Sequence, residues 1–200
     1  MEDRLARWIS ILFDSSVLSL PIFLAFGYVS ASDPSTGSGH LFGLLWATLT
    51  VVIVTGIPLT YLLIGRKRGW VSDMELSRRE ERPRFILVSL GSDVLALLVL
   101  LLFAGPHLLT VIVLAYFCLA IVMFTISNFY KISMHLAGVG GFSTALVFVF
   151  GAPALLAFLS LPLVAWARLH RRKHSVPQLI AGALAGMLVT ALVFGFGKWL

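Results

Sequence analysis

Seven apolar runs, separated by short polar segments, account for most of this chain and limit what it can fold into. A helix needs about 20 predominantly apolar residues to cross the hydrocarbon core of a bilayer. The runs cover residues 8–30, 41–64, 84–104, 107–127, 135–150, 152–167 and 178–198. The fifth and sixth are shorter than the others, and a tilted or re-entrant pair at 135–167 is an open alternative for them. We therefore predict an all-α polytopic membrane protein with six to seven transmembrane helices.

The composition agrees with this class. The chain is 59% hydrophobic and 12% charged, whereas soluble domains are about 45–50% apolar. A soluble domain is therefore excluded, and we expect the bilayer, and no nucleic acid, as a partner. We predict a single transmembrane domain over residues 1–200, in an oligomeric state that the sequence leaves open. The first run is too long for the apolar part of a cleaved signal, which has about 7–15 residues, so we expect it to remain as the first helix.

Positive charge is confined to alternate connections between the runs. Of the 15 Lys and Arg residues, only Lys198 lies on the opposite side of this alternation. The others are Arg4, Arg7, Arg66, Lys67, Arg68, Arg78, Arg79, Arg82, Arg84, Lys131, Arg168, Arg171, Arg172 and Lys173. Because basic loops remain in the cytoplasm, we predict a cytoplasmic N-terminus and an external C-terminus, in the cell (inner) membrane.

Three polar segments that are distant in sequence return to the cytoplasmic face in this topology: 65–84, 128–135 and 168–178. The first contains Arg78, Arg79 and Arg82, the second Lys131, Ser133 and His135, and the third Arg168, His174 and Gln178. We expect a helix to begin near Ser133 and to direct its unpaired N–H groups at an anion. The glycines that follow, at 138, 140 and 141, predict a close helix contact.

This set of side chains suits phosphoryl transfer from a lipid. Arginine and lysine neutralise the charge on the phosphate oxygens, one imidazole attacks phosphorus, and a second protonates the leaving oxygen. We identify no carboxylate cluster on the cytoplasmic face that would hold a metal. We therefore predict a site without a metal and without another cofactor.

These segments resemble the three motifs of the type 2 phosphatidic acid phosphatase superfamily, which are K-x6-R-P, P-S-G-H and S-R-x5-H-x3-D. The third motif matches Arg168 and His174, with Ala167 for serine and Gln178 for aspartate. The second is similar to "ISMH", which ends at His135. The first keeps Arg82-Pro83, but Glu75 stands at its lysine position, so Arg78 or Arg79 would replace that lysine. The resemblance covers residues 75–178.

The resemblance implies a phosphatase-like helical bundle and a role for each matching residue. His174 would be the nucleophile that forms a phosphohistidine, and His135 the general acid. Arg82, Arg168 and Ser133 would bind the phosphate, assisted by Arg78, Arg79 and Lys131. Gln178 would orient His174 through its amide oxygen, without neutralising an imidazolium. The expected substrate is a phosphatidic acid-type lipid or a prenyl or polyprenyl phosphate, as a monoester or a diphosphate.

Two other functions remain open from the sequence. A phosphatase-like protein without catalysis would bind lipid headgroups through the same arginines. A small transporter would instead use the acids within apolar runs, Asp14 and Asp93, because charge inside a span is costly and is often functional. Either acid could also anchor a basic residue of the site, or serve as a protonated structural group.

Overall fold

The computed structural model describes residues 2–30 and 39–197, and these contain helices and connections but no strand. The α-helices are α1 (Glu2–Leu12), α2 (Ser15–Ser30), α3 (His40–Val51), α4 (Ile57–Arg68), α5 (Arg82–Leu102), α6 (His107–Ser127), α7 (Met134–Phe150), α8 (Ser160–His170) and α9 (Val176–Phe196). A π-helical turn, Val52–Gly56, joins α3 to α4, and 3-10 segments at Arg79–Glu81 and Ala152–Leu159 precede α5 and α8.

The predicted all-α class is confirmed for the described residues, and so is the presence of several helices of membrane length. Within residues 2–30 and 39–197, five helical stretches are long and apolar enough to cross a bilayer, or six if the bent pair α1 and α2 counts as one span. Helix α7, which corresponds to the fifth predicted run, is apolar but shorter than a full span. The connection at 31–38 and Lys198 lie outside the described residues. The phosphatase-like arrangement of the helices stays a prediction.

The first apolar run forms two helices, whereas the sequence analysis predicted one. Helix α1 ends at Leu12, and the Asp14 side chain accepts the Ser16 N–H at 3.0 Å. A carboxylate in this position satisfies an N–H group that has no partner inside the new helix. Asp14 therefore starts α2 and interrupts what the hydropathy suggested was one continuous span.

The chain divides into two compact units. The first contains residues 1–18 and 125–200, and the second contains residues 19–124. The prediction of a single transmembrane domain is a statement about the whole chain and stays a prediction.

Parallel packing of α7 against α9 organises the first unit. The Ser133 N–H donates to the carbonyl oxygen of Gln178, and a Cβ on Gly182 would overlap the Ser133 carbonyl. One turn further, Gly186 lies against Ala137. Gly140 also lies against the backbone of Ala183, where an added Cβ would be 2.7 Å from the carbonyl oxygen. Contacts that advance together along both helices mean that the helices are parallel. The predicted close contact at the glycines of α7 is therefore confirmed, and a G-x-x-x-G pattern at 182–186 supplies its other face.

An internal repeat extends this pairing to the other end of the helices. Residues 144–151 are TALVFVFG and residues 190–197 are TALVFGFG. Phe148 and Phe194, which occupy equivalent positions in the two copies, pack with ring centroids 5.6 Å apart. Two nearly identical segments thus pack in register, as in a parallel dimer within one chain.

Helices α1 and α8 join the first unit through a buried apolar cluster. Its members are Ala6, Ile9, Leu136, Val139, Val164, Ala167 and Leu179. Polar contacts accompany this packing, because His170 of α8 lies 2.8 Å from the Asp3 carboxylate of α1. The N-terminal helix is therefore attached to the end of the bundle where α7 and α9 begin.

The second unit contains α3 to α5 and most of α2 and α6. Ser19 and Thr55, the latter in the π-helical turn, form a hydroxyl–hydroxyl hydrogen bond of 2.8 Å. Leu62, Val71 and Leu76 make a small buried cluster beside the start of α5. In the middle of α5, Asp93 is 2% exposed, and its Oδ1 has no hydrogen-bond partner among the described residues.

Candidate functional site

The second and third motif segments meet at the N-terminal ends of α7 and α9. The Ser133 N–H lies 3.2 Å from the Gln178 carbonyl oxygen, so a residue of one motif bonds directly to a residue of the other. This contact needs glycine at 182, because a Cβ there would occupy the space of the Ser133 carbonyl. Two segments more than forty residues apart in sequence therefore form one polar end of the bundle.

Ser133 caps α7. Its backbone is extended, and its Oγ accepts the Leu136 N–H at 3.4 Å. The side chain is fully buried, and its hydroxyl hydrogen remains a donor for another acceptor. The predicted helix start near Ser133 is confirmed. Lys131, in the connection that leads to this cap, is half-buried.

His174 has a defined orientation. Its Nδ1 lies 3.1 Å from Oε1 of Gln178, and the same oxygen accepts the Ser175 N–H at 3.2 Å. Since an amide oxygen only accepts, Nδ1 carries the ring hydrogen and the lone pair of the neutral imidazole is on Nε2. Ser175 and Gln178 also form the capping box of α9. The contact expected between Gln178 and His174 is thus present, and it uses an oxygen that helix capping already holds in place.

Arg168 lies in the last turn of α8 and is 2% exposed. The Lys173 N–H donates to its carbonyl oxygen at 3.0 Å, so the loop to His174 closes directly on this residue. Arg172, within that loop, adopts a left-handed backbone conformation with φ of 51°. A buried guanidinium requires compensating partners, since its desolvation costs several kcal/mol. A buried arginine is more typical of a functional site than of the exposed basic residues that set membrane topology.

His135 points toward the junction of α1 and α2. Its Nε2 lies 3.2 Å from the Ser10 carbonyl oxygen and 3.4 Å from Oδ2 of Asp14. Both neighbours are acceptors, so Nε2 carries a hydrogen. The histidine is 6% exposed. Asp14 was one of two acids that could anchor a basic residue of the site, but nothing in the sequence identified His135 as its partner.

The first motif belongs to the second unit. Arg82 is 2% exposed, and its Nε donates to the Leu76 carbonyl oxygen at 3.0 Å. Arg78 and Arg79 are exposed. Their spacing suggested one helical face, but Arg78 is extended, Arg79 begins a 3-10 turn, and α5 starts only at Arg82. A role for these three arginines at the phosphate stays a prediction.

No group of three or more His, Cys, Asp or Glu side chains within the described ranges has the geometry to bind a metal ion. No protein-family model, curated protein or solved structure matches the chain. The resemblance to the phosphatase superfamily therefore depends on its motif residues and on the contacts described above.

Proposed function

We propose that this protein is an integral membrane lipid phosphate phosphatase that acts through a phosphohistidine. One observation carries the proposal: the hydrogen bond between Ser133 and Gln178 joins the segment of His135 to the segment of His174. Buried polar side chains are expensive in a membrane protein and are commonly functional. Here Ser133, His135, Arg168 and His174 are all buried at one end of the first unit.

The reaction has two steps. His174 accepts and then releases the phosphoryl group, while His135 first donates and then accepts a proton. His174 attacks phosphorus through Nε2, and the phosphorus–oxygen bond to the lipid alcohol breaks. The electron pair goes to the leaving oxygen, which takes a proton from His135. Water then attacks the phosphohistidine and gives a proton to His135, while the electron pair of the nitrogen–phosphorus bond returns to His174. The products are the lipid alcohol and inorganic phosphate.

Cationic and hydroxyl groups support this transfer. Arg168 is a buried cation of the first unit, in the same motif segment as the nucleophile, and its forked guanidinium matches two phosphate oxygens. Ser133 contributes a hydroxyl and the start of a helix, both favourable for an anion. Lys131 is the remaining residue of the phosphate-binding set that the motifs imply within this unit.

The substrate class follows from the location of the site at helix ends. Helices α7 and α9 are apolar along their length and begin at the polar site residues, which suits a substrate with its phosphate at headgroup level and its chains in the bilayer. With the topology inferred from the basic loops, this site faces the cytoplasm. A phosphatidic acid-type lipid and a prenyl or polyprenyl phosphate both fit this description.

A non-catalytic lipid-binding protein is the second candidate, and Gln178 favours it. The amide orients His174 but carries no charge to stabilise the imidazolium that forms when the phosphohistidine is made and broken. In that case Arg168 and Ser133 would bind a lipid phosphate without its hydrolysis.

Phosphate release by the purified protein tests the proposal. The assay uses a panel of lipid phosphates in detergent micelles with a chelator, and compares the parent with His174→Ala, His135→Ala and His170→Ala. His170 is the matched control, because it pairs with Asp3 and matches no motif. We expect chelator-resistant release that is abolished by His174→Ala, reduced at least 100-fold by His135→Ala and retained in His170→Ala. Lipid binding without release in the parent would support the second candidate instead.

A further inference from the structure

The contact between Asp14 and His135 links the start of the chain to the candidate site. It is a polar contact of two buried or half-buried side chains from segments more than a hundred residues apart. Nothing in the three motifs accounts for it. The atoms that face each other in this contact indicate its function.

We propose that Asp14 is a positioning residue for the general acid, an inference that rests on the proposed phosphatase function. Nε2–H of His135 donates to the Ser10 carbonyl oxygen at 3.2 Å, and Oδ2 of Asp14 lies 3.4 Å from the same nitrogen. With Nε2 directed at these two acceptors, the proton passes to the leaving oxygen from Nδ1. The carboxylate also stabilises the imidazolium form, which is the form that donates.

The two carboxylate oxygens of Asp14 contact different partners. Oδ1 accepts the Ser16 N–H and fixes the start of α2, while Oδ2 faces His135. The carboxylate is therefore held by the backbone before it meets the histidine, so little side-chain entropy is lost in the contact. The two histidines of the site are thus oriented differently, His174 through Nδ1 by a neutral amide and His135 through Nε2 by a carboxylate.

A purely structural role is the competing explanation, because the same contact attaches α1 to α7. The two explanations differ in their dependence on the leaving group. A general acid matters for an alkyl alcohol, which leaves poorly as an anion, and matters little for p-nitrophenolate, which leaves readily without a proton. Loss of a structural contact would slow both substrates equally.

The variant Asp14→Asn separates the two functions of this side chain. Asparagine keeps an oxygen for the Ser16 N–H, but its amide nitrogen cannot accept from His135. Asp3→Asn is the matched control: Asp3 is also on the N-terminal segment and also faces a histidine, at 2.8 Å, but that histidine is His170. Both variants make the same chemical change to a carboxylate.

The experiment measures kcat/KM for a short-chain dialkyl glycerol phosphate and for p-nitrophenyl phosphate, because kcat/KM reports the steps up to departure of the leaving group and not the later attack of water, which both esters share. We expect Asp14→Asn to lower kcat/KM about 10- to 100-fold on the alkyl ester and less than about 3-fold on the aryl ester, as part of the general-acid contribution of about 10²–10⁴. His135→Ala should show the same selectivity, and the double variant should be no slower than His135→Ala alone. Asp3→Asn should leave both rates unchanged. Equal losses on both esters in Asp14→Asn would overturn the inference.

A second measurement distinguishes failure of this inference from failure of the proposed function. The protein is labelled with ¹⁵N at its five histidines, and the ring signals of His135 are assigned by their absence in His135→Asn. We expect these signals to shift in Asp14→Asn while those of His174 stay in place. If the parent hydrolyses no phosphate ester, the proposed function fails, and a shift still supports Asp14 as the group that orients His135. Unchanged His135 signals would overturn the positioning inference whether or not the protein is active.

Discussion

Replacement of Gly186 with alanine adds one methyl group to the closest contact between α7 and α9. The new Cβ would lie 2.8 Å from the carbonyl carbon of Ala137 and 2.9 Å from the amide nitrogen of Gly141. Carbon atoms in favourable contact are about 3.5–4.0 Å apart. Both neighbours are backbone atoms, which cannot rotate away, so the two helices must separate by about 1 Å at this point.

The expected cost follows from this overlap. Overpacking a well-packed contact costs about 1–3 kcal/mol, and the better helix propensity of alanine returns about 0.5–1 kcal/mol. The central values of these ranges leave a net loss of about 1 kcal/mol, which corresponds to a decrease in Tm of about 2–4 °C for a chain of this length. The parallel pairing also positions Ser133 beside Gln178, so we expect phosphate release to fall with the stability.

Gly195→Ala is the matched control, because Gly195 lies on the same helix and a Cβ there would meet nothing within 4 Å. Only the propensity gain applies to it, so its Tm should equal or exceed that of the parent. The assay is thermal unfolding in one detergent, followed by intrinsic tryptophan fluorescence. Equal Tm values for the two alanine variants would refute the close α7–α9 contact and the reasoning based on it.

Three further predictions test other parts of the structure. Gln178→Glu replaces the amide that faces His174 with a carboxylate and preserves the capping box. We expect the rate of phosphate release to rise about 10-fold or more, and no increase would contradict the assigned role of residue 178. Asp93→Leu removes a buried acid whose Oδ1 lacks a hydrogen-bond partner in the described part of the chain. Tm should therefore stay the same or rise, and a large decrease in Tm would show that the Asp93 carboxyl group stabilises the fold. Ser19→Ala removes the hydroxyl bond to Thr55 and should lower Tm by about 1–3 °C, as expected for a membrane hydrogen bond worth about 0.6 kcal/mol.

Local contacts of the candidate site could be predicted from the sequence. His174 and Gln178 are four residues apart, and Ser133 directly precedes an apolar run. The capped start of α9 brings the first pair together, because His174 directly precedes the cap residue Ser175 and Gln178 lies in the first turn, and a serine at a helix start is a common cap. Contacts within a helix cap and the first turn depend on local backbone geometry, which is similar at the start of many helices.

The first helix shows where hydropathy alone fails. Residues 8–30 are apolar enough to suggest one span, and Asp14 counts as a single tolerated charge in such an average. Its effect is local and specific, since it caps a new helix at Ser16. Averages over about 20 residues cannot detect one side-chain hydrogen bond that ends one helix and begins another.

The sequence by itself predicted helices long and apolar enough to cross a membrane, and the described residues form such helices, because a helix satisfies all of its backbone groups internally in lipid. It also determined the polar segments that carry the candidate chemistry. Only the tertiary structure decided that Ser133 bonds to Gln178 and that Asp14 faces His135. The reason is physical: in a membrane protein both the lipid-facing and the buried sides of a helix are apolar, so hydrophobic periodicity does not reveal which sides meet. That choice depends on backbone contacts at glycine, as at Gly182 and Gly186.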